Sequence, residues 1–68
     1  MMEDIYCLIA KIERDGVMEQ TAIEIDTRNM AEINWRLGSP GWLIAVKDGK
    51  EYHVAEEDSE WFFAQLLA

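Results

Sequence analysis

The sequence predicts a small two-layer α+β domain of order ββαββα, a four-stranded antiparallel sheet with two short helices on one face. Three observations lead there. Two Asp-Gly pairs, Asp15-Gly16 and Asp48-Gly49, each separate two β-prone apolar runs. A two-residue type I′ turn needs φ > 0 at both central positions, which makes Asp-Gly a strong hairpin signal. Each hairpin is then followed by a stretch with helical apolar spacing. Half of the 68 residues are apolar, enough for a core and too many for a disordered chain.

Length and composition bound the rest. The chain reads as one domain, 1–68, made of a ββα unit over 4–38 and another over 41–68. A domain this small buries only about 60% of its unfolded surface, and its net stability should be roughly 3–10 kcal/mol. Cys7 is the single cysteine, so no intrachain disulfide framework forms, and a reducing, cytoplasmic setting is expected. The opening MMEDIYCLIAKIERD has acids where a signal peptide carries bases, and Lys11 interrupts its apolar run. The longest uncharged run, Gly38 to Val46, has nine residues, far short of a membrane span. A soluble protein without an anchor is expected.

In the first hairpin, Ile5 to Glu13 and Val17 to Asp26 are the strands. Centring the loop on Asp15-Gly16 pairs Tyr6 with Ile25, Leu8 with Ile23, Ala10 with Thr21 and Ile12 with Glu19. Alternation puts Tyr6, Leu8, Ala10, Ile12, Ile23 and Ile25 on one face, the expected core. The other face carries charge towards the turn but an apolar stripe of Ile5, Cys7 and Ile9. Solvated sheet faces are normally polar, so this stripe should be covered by a helix or by another copy of the chain.

Asp26 or Thr27 is placed to cap a helix over Arg28–Leu37. Met30, Ile33 and Leu37 make its apolar stripe, and Trp35 points off it. Gly38 suits the left-handed position after a helix, and Pro40 blocks continuation. The second hairpin, Trp42 to Ala55, pairs Ile44 with His53, Val46 with Glu51, Leu43 with Val54 and Ala45 with Tyr52. Neither of its faces is cleanly polar, so the pattern does not choose the buried one. The last helix is expected near 59–67, capped by Asp58 or Ser59, with Phe62, Phe63, Leu66 and Leu67 as its apolar face. Acids ahead of it favour its positive N-terminal dipole.

Candidates for catalysis are sparse. His53 is the only histidine, on a strand, and Cys7 the only thiol, with no CxxC partner. Ser39 lies in GSPG, a turn composition and neither a G-x-S-x-G nor a phosphate-binding loop. The run EEDSE lacks the spacing and central glycine of a calcium loop. No enzyme activity, metal or cofactor is expected.

Charge is the more informative property. Fourteen acids against six bases give a net charge of −8, which repels nucleic acid and anionic membranes and favours a basic protein partner. The expected partner surface comprises Glu13, Glu24 and Asp26 on the first hairpin, Glu56, Glu57 and Asp58 ahead of the last helix, and Trp35 as an aromatic anchor. Residues i and i+2 on a strand stand about 6.8 Å apart on one face, which lets Glu24 and Asp26 present carboxylates as phosphates are presented. In size and charge the chain resembles small acidic viral inhibitors, anti-CRISPR and other anti-defence proteins among them. That resemblance is one of character and implies a basic, nucleic-acid-binding target. The alternative is a structural module forming a homodimer through Ile5, Cys7 and Ile9.

Overall fold

The computed structural model describes residues 4–67; residues 1–3 and 68 of the domain read from the sequence lie outside them. In chain order the elements are β1 (Ile5–Arg14), β2 (Val17–Asp26), a 3₁₀ segment (Thr27–Glu32), β3 (Ile33–Leu37), β4 (Trp42–Lys47), β5 (Lys50–Ala55) and α1 (Glu56–Leu67). The class is α+β, with a five-stranded antiparallel sheet and one α-helix. Both Asp-Gly pairs form their turns. Asp15 and Gly16 have φ of 53° and 79°, Asp48 and Gly49 of 53° and 76°, the type I′ signature. These turns fix the registers, Leu8 against Ile23 in the first hairpin and Ile44 against His53 in the second.

The helix expected over Arg28–Leu37 does not form. Asp26 caps only a 3₁₀ segment, accepting the Arg28 N–H, and Asn29 at φ −139°, ψ 54° interrupts the helical path. From Ile33 the chain is extended and pairs with β4, Ile33 against Lys47 and Trp35 against Ala45. Ile33 is common to the helical spacing Met30, Ile33, Leu37 and to the two-residue spacing Ile33, Trp35, Leu37. The β-branched Ile33 and aromatic Trp35 suit a strand, and an edge of β4 was available to pair. Consequently GSPG does not end a helix but turns β3 into β4. The Trp42 N–H donates to the Ser39 carbonyl at 2.9 Å, and Gly41 has φ 86°. Pro40 and Gly41 thus occupy the two central positions of a type II turn.

The last helix forms but starts three residues earlier than expected, at Glu56. Asp58 and Ser59 do not cap it; they lie inside its first turn. Ser59 is buried and its hydroxyl donates to the Glu56 carbonyl at 2.9 Å. The Glu56 N–H instead donates to the Gly41 carbonyl at 2.9 Å. The β3–β4 turn therefore satisfies a first-turn donor that a side chain was expected to satisfy.

The strand order is β2-β1-β5-β4-β3, so β2 and β3 are the edges. In a flat sheet these edges would stand about 19 Å apart, at about 4.8 Å per step. The six-residue 3₁₀ segment joining them rises only about 12 Å. The sheet therefore rolls, and α1 lies in its concave side. Leu8, Ala10, Ile23, Ile25, Ile33, Ala45, Val54 and Phe62 form the core. Phe62 meets Tyr6 edge-on at 5.4 Å, and Phe63 meets Trp35 at 5.1 Å. Ala45 and Val54 show which face of the second hairpin is inward. Among the described residues no helix lies over the convex side, which overturns helical cover for the stripe: Ile5 and Ile9 are 49% and 54% exposed, and Cys7 is exposed.

Candidate functional site

Strand alternation and register assemble the convex face from all five strands. Lys11 pairs with His53, His53 with Ile44, and Ile44 with Arg36, so three basic-type side chains share one row across four strands. Arg36 is ion-paired to Glu51. The Lys11 ammonium stands 5.8 Å from the Trp42 ring centre, a cation–π contact. Lys11, Met18, Ser39, Trp42 and His53 line a depression of about 260 Å³, and Glu13 lines a neighbouring one with Arg36, Glu51 and His53. Among the described residues, no group of three His, Cys, Asp or Glu side chains is placed to hold a metal ion.

Glu24 and Asp26 lie on the convex side of β2, as the two-residue spacing requires. They are not free carboxylates together. Arg28 holds Asp26 at both oxygens, Nε to Oδ1 at 3.1 Å and the terminal nitrogen to Oδ2 at 3.1 Å. Its N–H adds a third bond to Oδ1 at 2.9 Å. These Arg28 bonds hold the Asp26 carboxyl below its ordinary pKa. Lys47 Nζ donates to the Glu24 carbonyl at 2.9 Å, bringing a second base to the same corner.

The acids at the start of α1 differ. Glu56, Glu57 and Glu60 are exposed and Asp58 is half-buried. The ion pairs among the described residues use Arg14, Arg28 and Arg36, and none reaches these four carboxylates. Their concentration follows from the sequence run, and the helix start orients them with its dipole. Trp35 stands apart from them, half-buried on the concave side against Phe63, with its indole Nε1 buried and without a partner among the described residues.

Trp61, which the apolar pattern of the last helix assigns to the core or its rim and which is not among the expected partner-surface residues, is exposed instead. It follows Glu57 by four positions, which places both on one helix face. Tyr6 supports its ring at 5.8 Å, yet the residue remains 47% exposed. The i, i+4 spacing from Glu57 was the available signal. Tryptophan is a residue type enriched at interface hot spots, and here it stands beside acids that have no ion-pair partner among the described residues.

Comparison with protein-family models, with curated proteins and with solved structures returns no match for this chain.

Proposed function

We propose that this chain is a non-enzymatic protein-binding module that inhibits a basic, nucleic-acid-binding protein. It acts in the manner of small viral anti-defence or anti-CRISPR inhibitors, with carboxylates standing where phosphates would lie. One observation carries the reading: Glu56, Glu57, Asp58 and Glu60 have no ion-pair partner among the described residues and adjoin the half-exposed Trp61. Glu24 and Asp26 are the weaker patch, because Arg28 and Lys47 offset their charge. Glu13 would lie at the rim.

The test is affinity capture on the native chain beside a Glu56→Lys, Glu57→Lys, Asp58→Lys variant. A basic protein retained by the native chain, released by duplex DNA and lost on the variant supports the reading. Its association should slow with salt, since steering by rim charges acts on the on-rate. Equal retention by both chains, or no effect of DNA or salt, overturns it. A second reading, a structural module that dimerises through Ile5, Cys7 and Ile9, is supported by the exposure of that stripe. A salt-resistant homodimer broken by Ile9→Lys would favour it.

A further inference from the structure

The open edge of β2 is long, regular and self-complementary. The two-residue turn makes Arg14 and Val17 a hydrogen-bonded pair, and bonded and non-bonded pairs then alternate along the strand. Met18, Gln20, Ala22 and Glu24 therefore direct their backbone N–H and C=O groups away from β1. The bond from Lys47 Nζ to the Glu24 carbonyl agrees with that alternation and occupies the last of these carbonyls. What remains open is Met18, Gln20 and Ala22, with Gln20 at the centre. Edge strands are ordinarily guarded by charged side chains, lysine above all, by an inward-pointing charge, a proline or a bulge. Between Val17 and Asp26 β2 has no lysine, proline or bulge and its pairing with β1 runs without a break; its charges are Glu19, Glu24 and Asp26, and of these only Glu19 falls within the open stretch.

We infer that a second copy of this chain adds to β2, antiparallel about a two-fold axis through Gln20, joining the two sheets edge to edge. Gln20 then faces Gln20 of the second copy, and Met18 faces Ala22, each pair exchanging two N–H···O bonds. The register is chosen by charge. Centring on Glu19 would set Glu19 against Glu19 of the second copy, which is destabilising. Centring on Thr21 would require the Glu24 carbonyl that Lys47 already holds. Centring on Gln20 sets Glu19 against a threonine and makes no acid–acid pair. It also gathers exposed apolar groups: Ile9 is the β1-side neighbour of Ala22, so Met18 of one copy joins the row of Ala22 and Ile9 of the other. Met18 and Ile9 are 46% and 54% exposed in the single chain.

The charge around this edge is balanced although the chain is not. Lys11 adjoins Gln20, Glu13 adjoins Met18, and Arg14 pairs with Glu19 at 3.7 Å. The opposing term is the net charge of −8 on each copy, which acts at longer range and is screened by salt. Association between copies should therefore strengthen with salt, opposite to the binding of a basic partner. The two readings consequently fail separately.

Sedimentation equilibrium of the full chain over rising concentration and salt, with amide hydrogen exchange on the same samples, tests the inference. A dimer that tightens with salt is expected, with exchange at Met18, Gln20 and Ala22 slowing as it forms. Glu19 and Thr21, bonded within the chain, should be protected at every concentration. Gln20→Pro removes an outward N–H and no internal one, and should weaken dimerisation roughly a hundredfold or more. If that variant does not fold, Ala22→Lys replaces it, adding a charge on the same edge. A chain that stays monomeric, a dimer with unchanged exchange at those three amides, or a folded variant that dimerises like the native chain would each overturn the proposal.

Discussion

Lys47 on β4 donates to the backbone carbonyl of Glu24 on β2 at 2.9 Å, although β5 and β1 lie between these strands in the sheet. In a flat sheet Lys47 would lie in line with Lys50, Arg14 and Val17, so three strand steps and the run from Val17 to Glu24 would separate it from Glu24 by about 27 Å. The bond therefore records how tightly the sheet rolls, and it closes the rolled edge near Asp26. Lys47→Met keeps the stem and removes the donor. It should cost about 0.5–1.5 kcal/mol, the ordinary worth of one such bond, as read from the urea midpoint. An unchanged midpoint would mean the sheet stays rolled without this contact.

Asp26 ties the same corner to Arg28, whose bonds lower its carboxyl pKa from the ordinary 3.8. A depressed carboxylate stabilises the fold above its unfolded pKa, and the contribution is lost as pH falls through the folded value. The affected window thus lies at and below about 4. An NMR titration should find Asp26 with a midpoint below that of an ordinary aspartate, and Arg28→Ala should return it upward. A midpoint unmoved by that substitution would remove Arg28 as the cause.

Phe62 is fully buried at the junction of helix and sheet, edge-on to Tyr6 and Phe63. Phe62→Ala should cost about 3–5 kcal/mol. Against a total of roughly 3–10 kcal/mol, that loss removes from about a third to all of the stability and should lower the melting temperature steeply. Far-ultraviolet circular dichroism with a thermal melt is the check. A melting temperature within a few degrees of native would place the core elsewhere.

The GSPG turn allows a sharp test of its geometry. Gly41, at φ 86°, carries the left-handed backbone of the type II turn. Gly41→Ala should destabilise by about 1–2 kcal/mol, the penalty of that conformation for a residue with a Cβ. The helix once expected here would instead have put the left-handed residue at Gly38. Denaturation of the Gly41→Ala variant that matches native would contradict the turn.

Cys7 is exposed beside Ile5 and Ile9. In the native monomer a thiol reagent should therefore reach it at a rate near that of the unfolded chain. Slowing on self-association would mean that the convex stripe is covered by the second copy. Slowing only with a basic protein present would assign the stripe to that partner. Strong protection in the monomer would contradict the uncovered convex face.

Local chemistry determined much of this fold. Asp15-Gly16 and Asp48-Gly49 impose left-handed turns, and such turns fix register, so the pairs Leu8–Ile23 and Ile44–His53 follow from the sequence alone. The alternation in the first hairpin likewise named Leu8, Ala10, Ile23 and Ile25 as core. The acidic start of the last helix was legible as a run of residues, because its character is independent of what surrounds it. Tertiary structure decided the segment from Arg28 to Leu37. Its apolar positions satisfy helical and strand spacing alike, and only the free edge of β4 makes the strand the lower-energy choice. The same rolling of the sheet buried Ala45 and Val54, drew Trp35 to the concave side and brought Lys47 to Glu24. Which acids stay unpaired was equally beyond the sequence. Arg28 reaches Asp26 because the 3₁₀ turn folds it back, and among the described residues no base is carried to Glu56, Glu57 or Asp58. Ion pairing depends on distance through space, and a rolled sheet sets those distances between residues far apart in the chain.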